Sequence, residues 1–176
     1  MISKGSILIV DDEVGSRESL RMILAPIYNV HTVENGQEAL NFISQEKVDL
    51  VTLDINMPGL SGIDVLKEIR KLQPDIEVMI VTGYGTLSNA RESIHYGAGN
   101  FISKPFNVAD IIIGVSKAFE RRNQNMKFKE LLQQVRGLRS SLAENPQMKA
   151  RTLKNLPSQI EPTKFWGTAG QTVRRQ

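Results

Sequence analysis

The chain has 176 residues, enough for one domain of ordinary size and an appendage but hardly for two full domains. Hydrophobic residues make up 40% of it and charged residues 23%, which disfavours global disorder. Its aliphatic runs are too short to span a membrane, and its N-terminus, Met-Ile-Ser-Lys-Gly, lacks the apolar stretch of a secretory signal. The absence of cysteine excludes disulfides and thiolate metal sites. We therefore expect a cytoplasmic protein with no membrane partner.

The net charge of +3 combines two unlike parts of the chain. Residues 1–123 carry 12 Lys/Arg and 16 Asp/Glu, a net charge of −4, whereas residues 124–176 carry 10 and 3, a net charge of +7. An acidic, apolar-rich body followed by a basic segment indicates parts with different roles. We predict a folded domain over residues 1–123, a helical extension or linker over 124–143, and a basic flexible tail over 144–176.

Short apolar runs alternate with segments of helical period along the first part. The runs are near-continuous, which indicates strands covered on both faces, as in a parallel sheet between helices. These predicted strands cover residues 7–10, 29–33 (the weakest), 50–53, 78–81 and 101–102. The helical stripes between them include Leu20, Ile23 and Leu24, then Ala39, Leu40 and Ile43, then Val65, Leu66, Ile69 and Leu72. The order predicts a doubly wound α/β domain with a five-stranded parallel sheet.

The last predicted helix begins near Asn107 or Ala109, continues to about residue 142, and is expected to end at Asn145-Pro146. The 3-4-3-4 spacing of a coiled-coil seam runs through Phe128, Leu131, Val135, Leu138 and Leu142. Two heptads are fewer than a coiled coil needs for identification, and Gly137 interrupts them. Two alternatives therefore stay open: the stripe packs on its own domain, or residues 107–142 mediate a homodimer.

Polar side chains follow the strong apolar runs at the points where those runs end. Asp11-Asp12 follow the first run and Asp54 the third, while Thr82 and Lys104 come at the ends of the fourth and fifth. Ligands bind beyond the carboxyl ends of the strands in an open parallel sheet, so we expect these residues to converge. Each has an ordinary explanation by itself, as a helix cap, a turn residue or a surface charge. Together they do not, because clustered carboxylates repel one another unless a cation neutralises them.

The cation expected in this cluster is Mg²⁺. All available ligands are hard oxygens, with no histidine or cysteine among them, which disfavours zinc and copper. Magnesium accepts one or two carboxylates and leaves positions open for phosphate oxygens. A carboxylate held there can attack phosphorus and form an acyl phosphate, while the Lys104 ammonium and the Thr82 hydroxyl offer donors to the phosphoryl oxygens.

Four sequence segments together resemble the receiver domain of bacterial two-component response regulators, over roughly residues 5–123. The segments are Asp11-Asp12, Leu53-Asp54-Ile55-Asn56-Met57-Pro58-Gly59-Leu60-Ser61-Gly62, Val81-Thr82-Gly83-Tyr84-Gly85 and Lys104-Pro105-Phe106. The resemblance implies a flavodoxin-like fold and a sensor histidine kinase as partner. It also implies a phosphoacceptor switch that catalyses only its own phosphorylation and dephosphorylation, and is otherwise not an enzyme.

The same resemblance implies a role for each site residue. Asp54 is the phosphoacceptor and Lys104 pairs with the phosphoryl group. The implied metal ligands are Asp12 directly, Asp11 through water, Asp54 and the main-chain carbonyl of Asn56. Thr82 and Phe101 match the family's switch pair, although Phe101 stands where tyrosine is common. The family also has a cis peptide bond before the proline that corresponds to Pro105.

A competing interpretation is a haloacid-dehalogenase-type phosphatase, which also uses an aspartyl nucleophile and magnesium. That chemistry requires an aspartate two residues after the nucleophile, where this chain has Asn56, and a cap for which it has little room. The output of the switch stays open among three alternatives. These are a protein-interaction switch with an unknown downstream partner, a DNA-associated transcription regulator acting through the basic tail, and a fragment linked to an effector domain. We expect no specific DNA binding, since residues 124–176 show no helix-turn-helix pattern.

Overall fold

The computed structural model describes residues 5–83 and 85–144, with the backbone alone for residues 138, 139 and 141–144. Strands and helices alternate along the described chain. The strands are β1 Ser6–Val10, β2 Asn29–Val33, β3 Leu50–Leu53, β4 Glu77–Thr82 and β5 Asn100–Ser103. The helices are α1 Val14–Leu24, α2 Gly36–Gln45, α3 Gly62–Leu72, α4 Leu87–His95 and α5 Val108–Glu144.

The strands form one sheet in the order β2-β1-β3-β4-β5, and every neighbouring pair is parallel. The doubly wound parallel sheet predicted from the sequence is therefore confirmed. The chain moves from β1 outward to β2, then returns to the other side of β1 to begin β3. This reversal opens a crevice between the carboxyl ends of β1 and β3, where Val10 is in register with Leu53.

Apolar side chains fill a core on each face of the sheet. In β1, Ile7 and Ile9 pack on the face that carries α1 and α5, whereas Leu8 and Val10 pack on the face that carries α2 and α3. The near-continuous hydrophobicity of the inner strands has this cause, because both faces of each strand are covered. The edge strand β2 is mostly exposed, which explains its weaker sequence signal.

Helix α3 departs from the predicted stripe at one position. Val65, Leu66 and Ile69 are fully buried, as expected, but Leu72 is 58% exposed. Leu72 thus belongs to the predicted stripe but not to the buried face of the helix. Leu72 is the last residue of α3, so the buried face of the helix ends one turn earlier, at Ile69.

Four of the helix N-termini are capped by a side chain, and α1 is not. At the start of α2, α3, α4 and α5, a side-chain oxygen accepts a hydrogen bond from the main-chain amide three residues further on; the capping residues are Asn35, Ser61, Thr86 and Asn107. Glu13 occupies the cap position of α1, and its side chain makes no capping hydrogen bond.

Helix α5 begins at Val108, between the two residues that the sequence indicated, and the described helix ends at Glu144. The chain divides into two compact units, one ending at Lys129 and the other beginning at Glu130. In the first unit, the Phe119 ring stacks on Tyr28 at 4.9 Å between centroids, and Arg122 forms an ion pair of 2.8 Å with Asp49. The expected helix end at Asn145-Pro146 lies outside the described residues.

The apolar stripe predicted for α5 is described at three of its five positions. Phe128 is 61% exposed, Leu131 59% and Val135 56%. The described part of the chain buries none of these three side chains. Within the part of the chain that the structure describes, no helix is both long and apolar enough to cross a membrane.

Candidate functional site

Three aspartates come together at the carboxyl ends of β1 and β3. Asp11 and Asp12 directly follow β1, Asp54 directly follows β3, and one carboxylate oxygen from each lies within 4.8 Å of the others. The adjacency of β1 and β3 in the sheet produces this proximity. The structure therefore brings together the acidic residues that the sequence singled out.

Asp54 is a nearly buried carboxylate with a defined orientation. Its side chain is 6% exposed. The main-chain amide of Asn56 donates a hydrogen bond of 3.1 Å to Asp54 Oδ1, and Lys104 Nζ donates one of 2.7 Å to Asp54 Oδ2. The Asp54 amide itself donates to the Val10 carbonyl, which ties the start of the loop to β1. The two side-chain contacts fix the positions of both carboxylate oxygens of Asp54.

Asp11 is buried more completely, with 1% of its side chain exposed. It accepts hydrogen bonds from the Glu13 amide at 3.0 Å and from the Ser16 hydroxyl at 2.6 Å, and it lies 2.9 Å from Lys104 Nζ. Each of its oxygens therefore has a donor, as a buried carboxylate requires. Ser16 was not singled out from the sequence.

Arg17 supports the same corner of the site and was also missed by sequence reasoning. It is 7% exposed, its guanidinium donates a hydrogen bond of 2.7 Å to the Asp11 carbonyl, and it pairs with Glu34 at 2.7 Å. The position of Arg17 in the sequence could have indicated that it is buried. Arg17 lies three and seven residues before Leu20 and Leu24, so it is a charged residue in the buried stripe of α1.

Lys104 is the positive centre of the site. Its Nζ lies 2.7 Å from Asp54 Oδ2, 2.9 Å from Asp11 Oδ2 and 2.9 Å from Glu13 Oε2, and its side chain is 12% exposed. Burial by itself would lower the pKa of Lys104, but the hydrogen bonds to the three carboxylates outweigh burial and raise the pKa above its ordinary value. The ammonium is therefore charged throughout the physiological pH range.

The remaining predicted ligands line an open groove of about 800 Å³ above the sheet edge. Asp12 and Asn56 both contribute to its wall, together with Asp54 and Lys104. Asn56 is exposed, whereas Asp54 and Asp11 are buried below it. The carboxylate oxygens of Asp11, Asp12 and Asp54 form the hard-oxygen donor set that Mg²⁺ prefers, and the groove leaves space for a small anion beside them.

Two glycines shape the loop between Asp54 and α3. Gly59 has φ +82°, a left-handed conformation that strains other residues. A Cβ at Gly62 would lie 2.0 Å from the Asp54 carbonyl oxygen, and the Gly62 amide donates a hydrogen bond of 2.9 Å to the Ile55 carbonyl. The chain bends at residues 58–60, between Asp54 and α3. The close approach at Gly62 was not foreseen, because it depends on the path of the backbone after the turn.

Thr82 and Phe101, the expected switch pair, lie on neighbouring strands. Thr82 is completely buried at the end of β4, and its carbonyl accepts a hydrogen bond of 2.8 Å from the Lys104 amide. Phe101 is partly buried against the core, and its ring lies 3.3 Å from where a Cβ at Gly85 would be. The Lys104–Pro105 peptide bond is cis, as the resemblance implied.

Comparison with known proteins gives the family. The model of the response regulator receiver domain matches residues 7–116. The chain belongs to this family. Sporulation initiation phosphotransferase F of Bacillus subtilis is 37% identical over 116 residues, which cover 63% of this chain and 90% of that protein. The chain spans only about half the length of several other curated relatives that it matches.

Solved structures of receiver domains have the same fold. A CheY-like receiver domain protein from Methanospirillum hungatei matches with a TM-score of 0.68 and 31% identity, covering 70% of this chain and 99% of that one. NtrX from Brucella abortus, in complex with ADP, matches with a TM-score of 0.70 and 33% identity, covering 73% of this chain but 30% of that one. The second match shows a receiver of this type within a longer protein.

Proposed function

We propose that this receiver domain is a phosphoacceptor switch in which Asp54 takes a phosphoryl group from a sensor histidine kinase. The observation that supports it most is the position of Asp54, nearly buried at the sheet edge with Lys104 Nζ 2.7 Å from its Oδ2. The carboxylate is the nucleophile toward phosphorus, and the ammonium offsets the negative charge that develops on the phosphoryl oxygens. The chain catalyses only its own phosphorylation and dephosphorylation.

The donor set of the site fits magnesium as cofactor. Asp11, Asp12 and Asp54 would hold the ion with the main-chain carbonyl of Asn56, and the bound ion would supply further positive charge for the phosphoryl oxygens. Asp11 keeps its orientation through Ser16 and the Glu13 amide. These residues assemble the site before any phosphodonor arrives.

Thr82 and Phe101 carry the switch in this proposal. The Thr82 hydroxyl turns to the phosphoryl group, and the Phe101 ring then moves inward. Support comes from the hydrogen bond between the Lys104 amide and the Thr82 carbonyl, and from the position of Phe101 on the neighbouring strand β5. In this proposal, a change at Thr82 and Phe101 alters the surface formed by α4 and β5.

The test is phosphorylation by acetyl phosphate, followed by intact-mass measurement. We expect one phosphoryl adduct that requires magnesium and is lost in Asp54→Asn and on chelation. Asp75→Asn is the control, because Asp75 is exposed in the turn between α3 and β4, at the opposite end of β4 from Thr82, and pairs with Lys129. An adduct that survives in Asp54→Asn would assign the nucleophile elsewhere.

The output is proposed to be a protein interaction that involves a homodimer through residues 107–142. The three described stripe residues are exposed by 56–61%, and a second copy of α5 supplies the same apolar surface. We further propose a cytoplasmic protein with a folded domain over residues 1–123, a helical extension over 124–143 and a basic tail over 144–176.

A second candidate for the output is a regulator in which this chain is linked to an effector domain. It is favoured by one observation: the chain spans about half the length of several curated relatives and 30% of NtrX. In either case the chemistry at Asp54 is the same, and the downstream partner differs.

A further inference from the structure

Glu13 is a third carboxylate on Lys104 that neither the phosphoacceptor nor the metal site requires. Its Oε2 lies 2.9 Å from Lys104 Nζ, although the two residues are 91 positions apart in the chain. An ammonium group has three N–H donors. Asp54, Asp11 and Glu13 together engage all three, so a phosphoryl oxygen can reach Lys104 only if one of these contacts is given up.

The cap position of α1 supplies an independent sign that Glu13 has a role at the site. Asn35, Ser61 and Thr86 cap their helices with side-chain oxygens, which is the usual use of this position. Glu13 makes no such bond, and its carboxylate contacts Lys104 instead. Departures from such local sequence preferences occur mostly at functional sites.

The three contacts of Lys104 differ in how easily they can be released. The side chains of Asp11 and Asp54 are 1% and 6% exposed, and other donors also hold them. The Glu13 side chain is 65% exposed, so water can solvate its carboxylate as soon as it leaves. Glu13 is therefore the contact that is lost at least cost.

We propose that Glu13 is a positioning residue that holds the third donor of Lys104 in the unphosphorylated protein and is displaced by the phosphoryl group. The inference rests on the proposed function of Asp54. Because Glu13 competes with the phosphoryl oxygens for the same ammonium, it opposes the phosphorylated state. It also keeps Lys104 aimed at the site while no phosphoryl group is present.

The test compares beryllofluoride binding by the wild-type full chain and by Glu13→Gln, at saturating magnesium, with ¹⁹F NMR as the readout. Glutamine keeps the length of the side chain and removes its charge. We expect beryllofluoride to bind Glu13→Gln about two- to fivefold more tightly, the range that corresponds to one exposed ion pair. The advantage should shrink as salt is added, because salt screens an exposed pair.

Glu18→Gln is the matched control, since Glu18 is a half-exposed residue of α1 whose partner is Arg21 and not Lys104. Its affinity should equal that of the wild type. Equal or weaker beryllofluoride binding by Glu13→Gln overturns the inference, as does a loss of magnesium affinity in that variant, which would make Glu13 a metal residue. If the wild type itself binds no beryllofluoride, the proposed function of Asp54 fails first.

Discussion

At the scale of single residues, the site depends on one ammonium among clustered carboxylates. Lys104 lies within 2.9 Å of Asp54 and Asp11, which are both almost completely buried. Two carboxylates this close would repel each other without a cation. Lys104 therefore stabilises the acidic pair, and in the proposed function it also pairs with the phosphoryl group.

Substitution of Thr82 and Lys104 should separate the chemistry from the switch. Thr82→Ala and Lys104→Ala keep the nucleophile and the metal ligands, so we expect Asp54 to be phosphorylated still, but more slowly. The conformational response should be reduced, because the phosphoryl group loses the donors through which it acts on β4 and β5. Hydrogen exchange over residues 82–106, with and without beryllofluoride, measures this response. Responses equal to that of the wild type in both variants would show that the switch uses other residues.

At the scale of elements, the position of α3 depends on the absence of a side chain at Gly62. The helix begins at this residue directly beside the Asp54 carbonyl, so its first turn and the loop that follows β3 share one tight contact. Main-chain atoms cannot move aside as the end of a flexible side chain can. The geometry of Asp54 and the start of α3 are therefore coupled.

The substitution Gly62→Ala should destabilise the fold by about 1–3 kcal/mol or more, the usual range for overpacking a tight site. It should also reduce phosphorylation of Asp54 in the fraction that folds. Gly15→Ala is the matched control, because nothing lies within 4 Å of the added Cβ and Gly15 is in α1. That variant should gain up to about 1 kcal/mol from helix propensity. Urea denaturation compares the two, and equal midpoints would contradict the crowding at Gly62.

At the scale of the whole molecule, α5 takes part both in the folded domain and in the apolar stripe beyond it. Ile111, Val115 and Ala118 are fully buried in the core, whereas Phe128 and Leu131 are exposed. One helix thus changes from a core element to a surface element along its length. An exposed apolar stripe of this kind is typical of an association surface.

The double substitution Leu131→Glu with Val135→Glu should give a monomer that still folds and still phosphorylates at Asp54. Burial of one Leu is worth roughly 1.5–3 kcal/mol, so two charges in the stripe should outweigh a weak dimer. Gln133→Glu with Ser140→Glu adds the same charge at exposed positions away from the stripe and should leave the dimer intact. Analytical ultracentrifugation with and without beryllofluoride measures the mass. If the unsubstituted chain is monomeric both with and without beryllofluoride, the stripe does not mediate a homodimer and its partner is a different protein.

The basic segment is expected to make no sequence-specific contact with DNA. Its positive charge, a net +7 over residues 124–176, predicts at most weak binding that falls steeply with salt. Titration of duplex DNA with the full chain and with residues 1–144, at two salt concentrations, tests this expectation. Tight binding by the full chain that survives physiological salt and discriminates between sequences would favour the DNA-associated regulator.

The sequence by itself determined the alternation of strands and helices and the acidic residues of the site. The inner strands appear as apolar runs because both of their faces are covered. Asp11, Asp54 and Lys104 could be grouped because the carboxyl ends of parallel strands meet at one edge of a sheet. Both features follow from local sequence patterns, which can be read from a single sequence.

The tertiary structure decided the strand order, the contact at Gly62, and the partners of Glu13 and Arg17. The strand order depends on the side of β1 on which each later strand pairs, and the residues of a single strand do not determine that side. Glu13 meets Lys104 across 91 positions, so its role follows only once β1 and β5 contribute to the same edge. Contacts between distant segments arise from the packing of the whole domain, and for that reason local sequence patterns could not predict them.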